Sequence, residues 1–387
     1  MKYLVIGDSN SMHIYNFVKT FLLPAGYDVY LLTLSAQPIR DAYKEFYRQN
    51  RVNVYSIADG KHRGLEKRDR LSRALNLWRK MRLMKSVPHV DICHVHSVYK
   101  TAMAMVLANR NKFDRLILSY WGGDIEDRSP ETVKLREKCF PLADVITVTV
   151  QQTMRDFQAL HGHVFDDKLR VTRFSTRGID CIAGLREITT RMECRDYYGI
   201  PCDKLCITCG YSAYAEQHQD QCLREMMKLP AELRERIFVI VPMQYGRFDE
   251  EYISRVQQVK SECDFDCTIL EEYVPFEVSA KLAVATDIYL HLRDTDAFSN
   301  SLKEHVYAGS TVVTGKWLRY IELEQMQAPI VWIDAIDKLH NVLSKLIATT
   351  QIQHSINLFA PMYDMYSTES VRRQWEDTLA QVLGTRK

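Results

Sequence analysis

Asp296 and Glu304 stand eight residues apart in RDTDAFSNSLKEHVYAGSTVVTG (293–315), on either side of Ser299, Asn300 and Ser301. DIYLHLR, just before them, reads as a strand, and SLKEHVYAG as a helix. Ser301 and Glu304 fit an S-x-x-E capping box, in which the Ser accepts from a helix-start N–H and the Glu reaches back to the cap. That alone would account for Glu304. It does not explain why Asp296, Ser299 and Asn300 crowd the same turn. The N–H groups at a helix start hold phosphate well. A carboxylate one turn further in can accept hydrogen bonds from a ribose diol. An acid in the preceding loop can reach a sugar carried on the second phosphate. The spacing suits a nucleotide diphosphate with a sugar on its end.

Other polar residues fall where apolar runs stop. WGGDI (121–125) ends one such run. Gly122 and Gly123 permit a tight turn, Trp121 can stack on a sugar face, and Asp124 can bind acceptor hydroxyls; a structural turn explains the same letters. His94 and His96 alternate along a strand and share a face. A metal site there would need a third ligand that the neighbouring sequence does not offer, so His94 reads as packing and His96, at the strand end, as a sugar contact. The first loop, GDSNSMHIYNF (7–17), lacks G-x-G-x-x-G, which argues against a nicotinamide cofactor. Its Asp8, Ser9, Asn10 and His13 can cap the following helix or face a ligand. Asn10 joins the acceptor contacts, and His13 stands with Asp296 and Asp124 as a catalytic candidate. Arg173 and Arg177 are placed to meet donor phosphates or to form surface salt bridges.

These residues need elements to position them. YLVIGD (3–8), an amphipathic segment and DVYLLTL (28–34) form a βαβ start, which argues for a parallel sheet. VDICHVHS (90–97), RLILSYWG (115–122) and DVITVTV (144–150) extend it. A second series runs through KLCITCGYS, IFVIVPM, CTILEEYV, DIYLHLR, STVVTG and IVWID. At 387 residues the chain is comfortable for two domains. The expected fold is α/β, two doubly wound Rossmann-like domains facing a central cleft, with residues 1–185 binding acceptor, 186–364 binding the nucleotide sugar, and a helix at about 365–387 returning to the first domain. Ligands of such sheets sit at the carboxyl ends of the strands, which is where the candidate residues fall.

Composition excludes several classes. A net charge of +2 does not call for nucleic acid. The amino terminus is too short in apolar residues for a signal-peptide core, and no apolar run approaches the roughly 18–20 residues of a membrane span. The ten cysteines are scattered, with one C-x-x-C at Cys206 and Cys209, and read as buried thiols in a reducing cytosol. One stretch stands apart. KHRGLEKRDRLSRALNLWRKMRLMK (61–85) carries ten Lys or Arg, with Leu71, Ala74, Leu75, Trp78 and Met81 on one helical face. It reads either as a solvated helix packed by its apolar face or as a contact with an anionic membrane surface.

TILEEYVPFEVSAKLAVATDIYLHLRDTDAFSNSLKEHVYAGSTVVTG (268–315) resembles the donor-binding segment of GT-B glycosyltransferases with an E-x7-E motif. The resemblance implies that Glu304 binds the nucleotide ribose and Asp296 faces the donor sugar. It implies that the amides of Ser299, Asn300 and Ser301 meet the diphosphate, and that Tyr273 and Val274 read the base. Two features depart from the pattern. The first acid is Asp rather than Glu, and the Arg and Lys that the family uses for the diphosphate, after a Gly following the first strand of the second domain, are missing from CGYSAYAEQHQD. Gly210 is present, and Ser212, Tyr214 or His218 could replace the cations in part. GYSAYAEQHQDQCLREM and IFVIVPMQYGRFDEEYISRV, with Tyr245 in the Val-Pro-Met-x-Tyr turn, look like the 4-acetamido-fucosyl transferases of enterobacterial common antigen synthesis; WGGDI and RFSTRGID (173–180) fit the same likeness. Those enzymes move an amino-deoxy sugar from a dTDP donor to a lipid-diphosphate oligosaccharide.

The expected activity is transfer of a sugar, with retention, from a nucleotide-diphosphate sugar to a lipid-linked surface-glycan acceptor. The enzyme would be metal-independent, without cofactor, and cytoplasmic, lying peripherally on the inner face of the membrane. A nucleotide-sugar 2-epimerase of the same architecture and a catalytically silent GT-B partner subunit remain as alternatives.

Overall fold

Short runs of β-branched and aliphatic residues, separated by helix-length segments, leave no choice but parallel pairing, because a crossover helix brings the chain back to the same end of the sheet. The computed structural model describes residues 1–35, 37–57, 70–124 and 127–384, and the side chains of all these except 70–75. The chain divides into two compact units, Met1–Ser175 with Thr368–Lys387, and Thr176–Ser367. The sequence put the join at 185/186; helix Arg177–Ile188 belongs to the second unit.

The first unit holds β1 (Lys2–Gly7), β2 (Asp28–Thr33), β3 (Asn53–Tyr55), β4 (Val90–His96), β5 (Phe113–Tyr120), β6 (Val145–Val148) and β7 (Leu169–Val171). They form one parallel sheet in the order β3-β2-β1-β4-β5-β6-β7, with Val5 level with Leu31 on one side and His94 on the other. Alternate side chains of β1 feed two cores. Leu4 and Ile6 pack with Val95, Leu118 and Phe140, whereas Tyr3 and Val5 pack with Phe17, Phe21 and Leu31. The second of these cores is closed by helix Thr368–Gly384, whose Trp375 is buried against Phe17 and whose Thr378 hydroxyl pairs with Thr172 at 3.0 Å.

The second unit holds β8 (Leu205–Cys209), β9 (Ile237–Pro242), β10 (Asp266–Leu270), β11 (Ile288–His291), β12 (Thr311–Gly315) and β13 (Ile330–Ile333). The order is β10-β9-β8-β11-β12-β13, with Leu290 opposite Cys209 and Val313. In each sheet the strand order reverses beside the first strand, at β1/β4 and at β8/β11. Connections leave those neighbours in opposite directions, which opens a crevice at their carboxyl ends.

The eleven strands read from the sequence are present. The two that were not read, β3 and β7, are three-residue strands at the edges of the first sheet. The ten cysteines are free thiols, and burial pushes those of Cys206 and Cys267 up to about 12. No helix among the described residues is long and apolar enough to cross a membrane. Of the basic stretch, 61–69 and the side chains of Arg70, Leu71, Arg73, Ala74 and Leu75 lie outside the described residues. Helix Arg70–Ser86 turns Met84 into the core and leaves Trp78 57% exposed, with the Arg82 guanidinium 5.6 Å from its ring centroid. Trp78 is therefore not packed on the core, as the first of the two readings of this face would require.

Candidate functional site

Helix Asn300–Tyr307 follows β11 through the loop that carries Asp296. Phe298 turns the chain with a left-handed backbone (φ 67°), held by its ring against Tyr320 and Tyr366. This places Ser299 at the cap, where its hydroxyl accepts from the Leu302 N–H at 3.4 Å. Ser301 is one residue inside the helix, and its hydroxyl pairs with that of Tyr289 at 3.0 Å. The Ser301–Glu304 capping box read from the sequence does not form: Ser299 is the cap, so the box position is Leu302 and Glu304 is two residues too far along to reach back.

The two acids sit in opposite surroundings. Asp296 Oδ2 accepts from the Ser299 N–H at 2.8 Å and the Tyr320 hydroxyl at 2.8 Å, and lies 3.2 Å from His291 Nε2. Burial works against its ionisation, but the His291 ring, the Ser299 amide and the Tyr320 hydroxyl outweigh it and hold the carboxyl at about 2. Its other oxygen, Oδ1, faces Arg293 Nη1 at 3.9 Å. Glu304 is equally buried, yet accepts no hydrogen bond among the described residues. Burial lifts its carboxyl to about 7, with the Lys303 charge lowering it only in part. Lys303 itself is held between the rings of Phe298 and Tyr366, with Nζ 5.1 and 4.7 Å from their centroids. The Glu304 carboxylate rests on Gly178 in helix Arg177–Ile188: a Cβ on Gly178 would lie 2.1 Å from Oε1. A buried, unpartnered carboxylate over a glycine is arranged to accept hydrogen bonds from something else.

The loops around this centre carry several of the residues singled out above. Gly210 follows β8 with φ 69°, and its N–H bonds the Leu290 carbonyl at 3.0 Å. His218 Nε2 pairs with Asp294 at 2.7 Å. Tyr273 and Tyr245 are 75% and 60% exposed, and Val274 is half-buried. Ser212 is withdrawn from the surface, where it accepts from Gln217 Nε2 at 3.0 Å, so its hydroxyl is not presented to a phosphate. Arg177 takes the surface salt bridge, to Glu277 at 3.0 Å.

In the first unit, three of the sequence candidates are structural. Asp124 is 1% exposed and accepts from the N–H groups of Val98, Trp121 and Gly122 at 3.0, 2.9 and 3.1 Å; it shapes the Trp-Gly-Gly turn, with Gly122 at φ 110°, and has no oxygen to offer an acceptor. Asn10 bridges Pro38 and Arg40 through its side-chain amide, which pins one loop to another. His96 is 1% exposed, its ring centroid 3.9 Å from that of His94 in a tilted pair, and burial pushes its ring down to about 3, so it is a neutral core residue rather than a sugar contact. His94 joins Tyr3 and Ser119 in a buried hydrogen-bonded row. Trp121 is half-buried, packed edge-on to His13 at 5.2 Å and against Phe174, beside Gly123. Arg173 is tied through its backbone to Gln374 and Trp375.

Sequence reasoning missed four residues of the centre: His291, Arg293 and Tyr320 around Asp296, and Gly178 under Glu304. Arg293 was visible as a cation three residues before Asp296. Tyr320 and Gly178 are brought in by the fold, and nothing local marks them. Among the described residues no group of three or more His, Cys, Asp or Glu side chains is arranged to hold a metal ion.

Residues 2–149 match the family described as glycosyl transferase 4-like. Among solved structures, the chain is similar over 98% of its length to Anabaena HepE in complex with UDP, with 13% identity, 100% of that chain covered and a TM-score of 0.69. It is similar over 99% of its length to sucrose-phosphate synthase from Thermosynechococcus elongatus, with 13% identity, 99% of that chain covered and a TM-score of 0.72. A third similar structure is an α,α-trehalose-phosphate synthase (UDP-forming) from Burkholderia xenovorans in complex with glucose-6-phosphate, at 11% identity, 99% and 100% coverage and a TM-score of 0.65. No curated protein matches the chain in sequence. The fold is that of the GT-B enzymes, and with the family match over 2–149 it makes the protein a glycosyltransferase in class.

Proposed function

We propose that the protein transfers a sugar from a nucleotide-diphosphate sugar to a lipid-linked surface-glycan acceptor, with retention at the anomeric carbon and without a metal. One observation carries the reading: two buried carboxyls stand at a single helix start, one held through Oδ2 by protein donors and one with no donor among the described residues. The vacant one, Glu304, accepts the ribose diol. The diphosphate lies against the helix start at Ser299, Asn300 and Ser301, where the helix dipole offsets charge that builds on the leaving group. Asp296 presents Oδ1 to the sugar, whose anomeric carbon becomes positive as the bond breaks. HepE, a structural neighbour, is described in complex with UDP-glucose, which supports this class of donor. The likeness to the 4-acetamido-fucosyl transferases supports a lipid-diphosphate acceptor, and the basic helix ending at Ser86, with exposed Trp78, suits attachment to the inner face of an anionic membrane.

The test is incubation with UDP-, dTDP-, GDP- and ADP-sugars, with and without a membrane extract containing polyprenyl-diphosphate saccharides, read as nucleoside diphosphate release. Release that depends on the extract supports the reading. Absence of binding to every member of the panel overturns it.

A further inference from the structure

We propose that Arg293 is the diphosphate-binding cation of this protein and that Glu216 occupies it until the donor arrives. The inference rests on the nucleotide-sugar reading of the site and says which side chain carries it out. β8 and β11 are the neighbours at which the strand order of the second sheet reverses. Arg293 lies two residues beyond β11, and Tyr211 and Glu216 lie in the loop after β8. The guanidinium crosses the crevice, donating through Nη1 to the Tyr211 hydroxyl and through Nη2 to Glu216, while Nε is buried with no partner. Its backbone is fixed by the Trp317 indole, which donates to the Arg293 carbonyl at 2.6 Å.

Charge makes the assignment. Asp294, Asp296, Glu216 and Glu304 all belong to this end of the sheet, and a diphosphate entering among them needs a cation. Lys303 is buried between two rings beside Glu304, and Arg177 is paired outside with Glu277. Arg293 alone of the three stands against Asp296, on the side opposite the Ser299 amide, so a diphosphate there would lie between a guanidinium and a helix start. Glu216 is the group that gives way. Its side chain is 50% exposed on the short turn Ala215–Gln217, so its carboxylate regains water when released. A half-exposed ion pair is weak, whereas a guanidinium meets phosphate oxygens with two parallel bonds.

The exchange predicts opposite effects for the two partners. Binding of UDP, dTDP, GDP and ADP, and of the matching nucleosides, is measured by calorimetry on the full chain. For the diphosphate that binds best, Arg293→Met should weaken affinity by about tenfold or more and leave the nucleoside within about twofold, because only the phosphates are touched. Glu216→Gln should tighten it by about two- to fivefold, the worth of a half-exposed pair. If Arg293→Met does not fold, Arg293→Lys, which keeps charge but not the fork, should bind between wild type and background. Loss of affinity in both variants would mean that the pair only latches the loop, and would overturn the proposal. So would Glu216→Gln binding no tighter than wild type, or Arg293→Met binding as wild type does; in either case the site reading stands without it. A wild-type protein that binds none of the four diphosphates ends both.

Discussion

Replacing Glu304 with Gln should make the protein more stable and a poorer binder of nucleotide, and the two effects can be sized from the same surroundings. The carboxyl is buried and has no hydrogen-bond donor among the described residues, and burial lifts it to about 7 from an ordinary 4.5. Its folded value lies above its unfolded one. The stability contributed by the protonated group is therefore fully present below about pH 4.5 and is lost as pH rises through 7. Above that, holding the ionised group inside costs about 3 kcal/mol. Gln keeps the shape and cannot ionise, so the gap between variant and wild type should open between pH 5 and pH 8. At pH 8 it should reach up to about 3 kcal/mol, or about 6 to 12 °C in melting temperature for a unit of this size.

Binding moves the other way. A ribose diol donating to a carboxylate gains about 1.5–3 kcal/mol per charge-assisted bond, so Glu304→Gln should weaken nucleoside diphosphate binding by about ten- to a hundredfold. In the wild type, affinity should rise between pH 6 and pH 8 as the carboxyl ionises, and the variant should show no such rise. Thermal melts and calorimetric titrations at four pH values give both quantities. A variant that melts earlier than wild type at pH 8 would mean that Glu304 has a structural partner, and equal affinity at every pH would remove it from the nucleotide site.

Asp296→Asn should cost about 2 kcal/mol at pH 7, because the carboxyl is held at about 2 against an ordinary 3.8; that stability is present above pH 4 and lost as pH falls toward 2, and a chemical-denaturation difference that does not shrink on acidification would refute it. In kinetics the same variant should lose turnover more than donor affinity, the interaction growing only as the sugar becomes positive. Gly178→Ala places a methyl 2.1 Å from Glu304 Oε1, so nucleotide affinity should fall severalfold although the helix itself gains about 0.5–1 kcal/mol from losing a glycine; unchanged affinity would show that the carboxylate does not rest there. Arg79→Gln with Arg82→Gln should weaken partition onto anionic vesicles by about thirtyfold, at about 1 kcal/mol each, leaving nucleotide binding intact; equal partition would take this helix out of any membrane contact.

Periodicity made the fold legible, and the misses have local causes. β3 and β7 are too short to show alternation, and each sits at an edge where one neighbour suffices. The pairing of Asp296 with Glu304 was legible because one turn of helix fixes their separation. The cap was misread because Ser299 and Ser301 carry the same chemistry two residues apart. The choice fell to Phe298, whose left-handed backbone starts the helix early, and to Tyr289, which takes the Ser301 hydroxyl. Asp124 and Asn10 were read as ligand contacts for a related reason. Short polar side chains beside glycine or a helix start do the same hydrogen bonding for a turn as for a sugar, and only their counted partners tell which. The face carrying Trp78 was open between packing and a membrane surface; in the fold Trp78 stays exposed while Met84, with Met81 and Leu83 beside it, packs on the core.

The two acids show how far spacing alone can carry an assignment. By sequence they are a symmetric pair around a Ser-Asn-Ser turn. In the fold, donors from β11 and from residue 320 converge on Asp296, while Glu304 lies over Gly178 beside a lysine held by aromatic rings and accepts no hydrogen bond among the described residues. The environments drive their protonation in opposite directions, which separates their roles. Asp296 stays ionised and immobile, with Oδ2 occupied in holding the loop and Oδ1 turned toward Arg293. It is a fixed charge, suited to a position where positive character develops. Glu304 carries the cost of an unmet carboxylate, and a ligand offering two hydroxyls relieves it. The nucleotide end of the donor would thus gain its affinity from a strain already built into the empty protein, and the sugar end would meet a charge that does not move during the reaction.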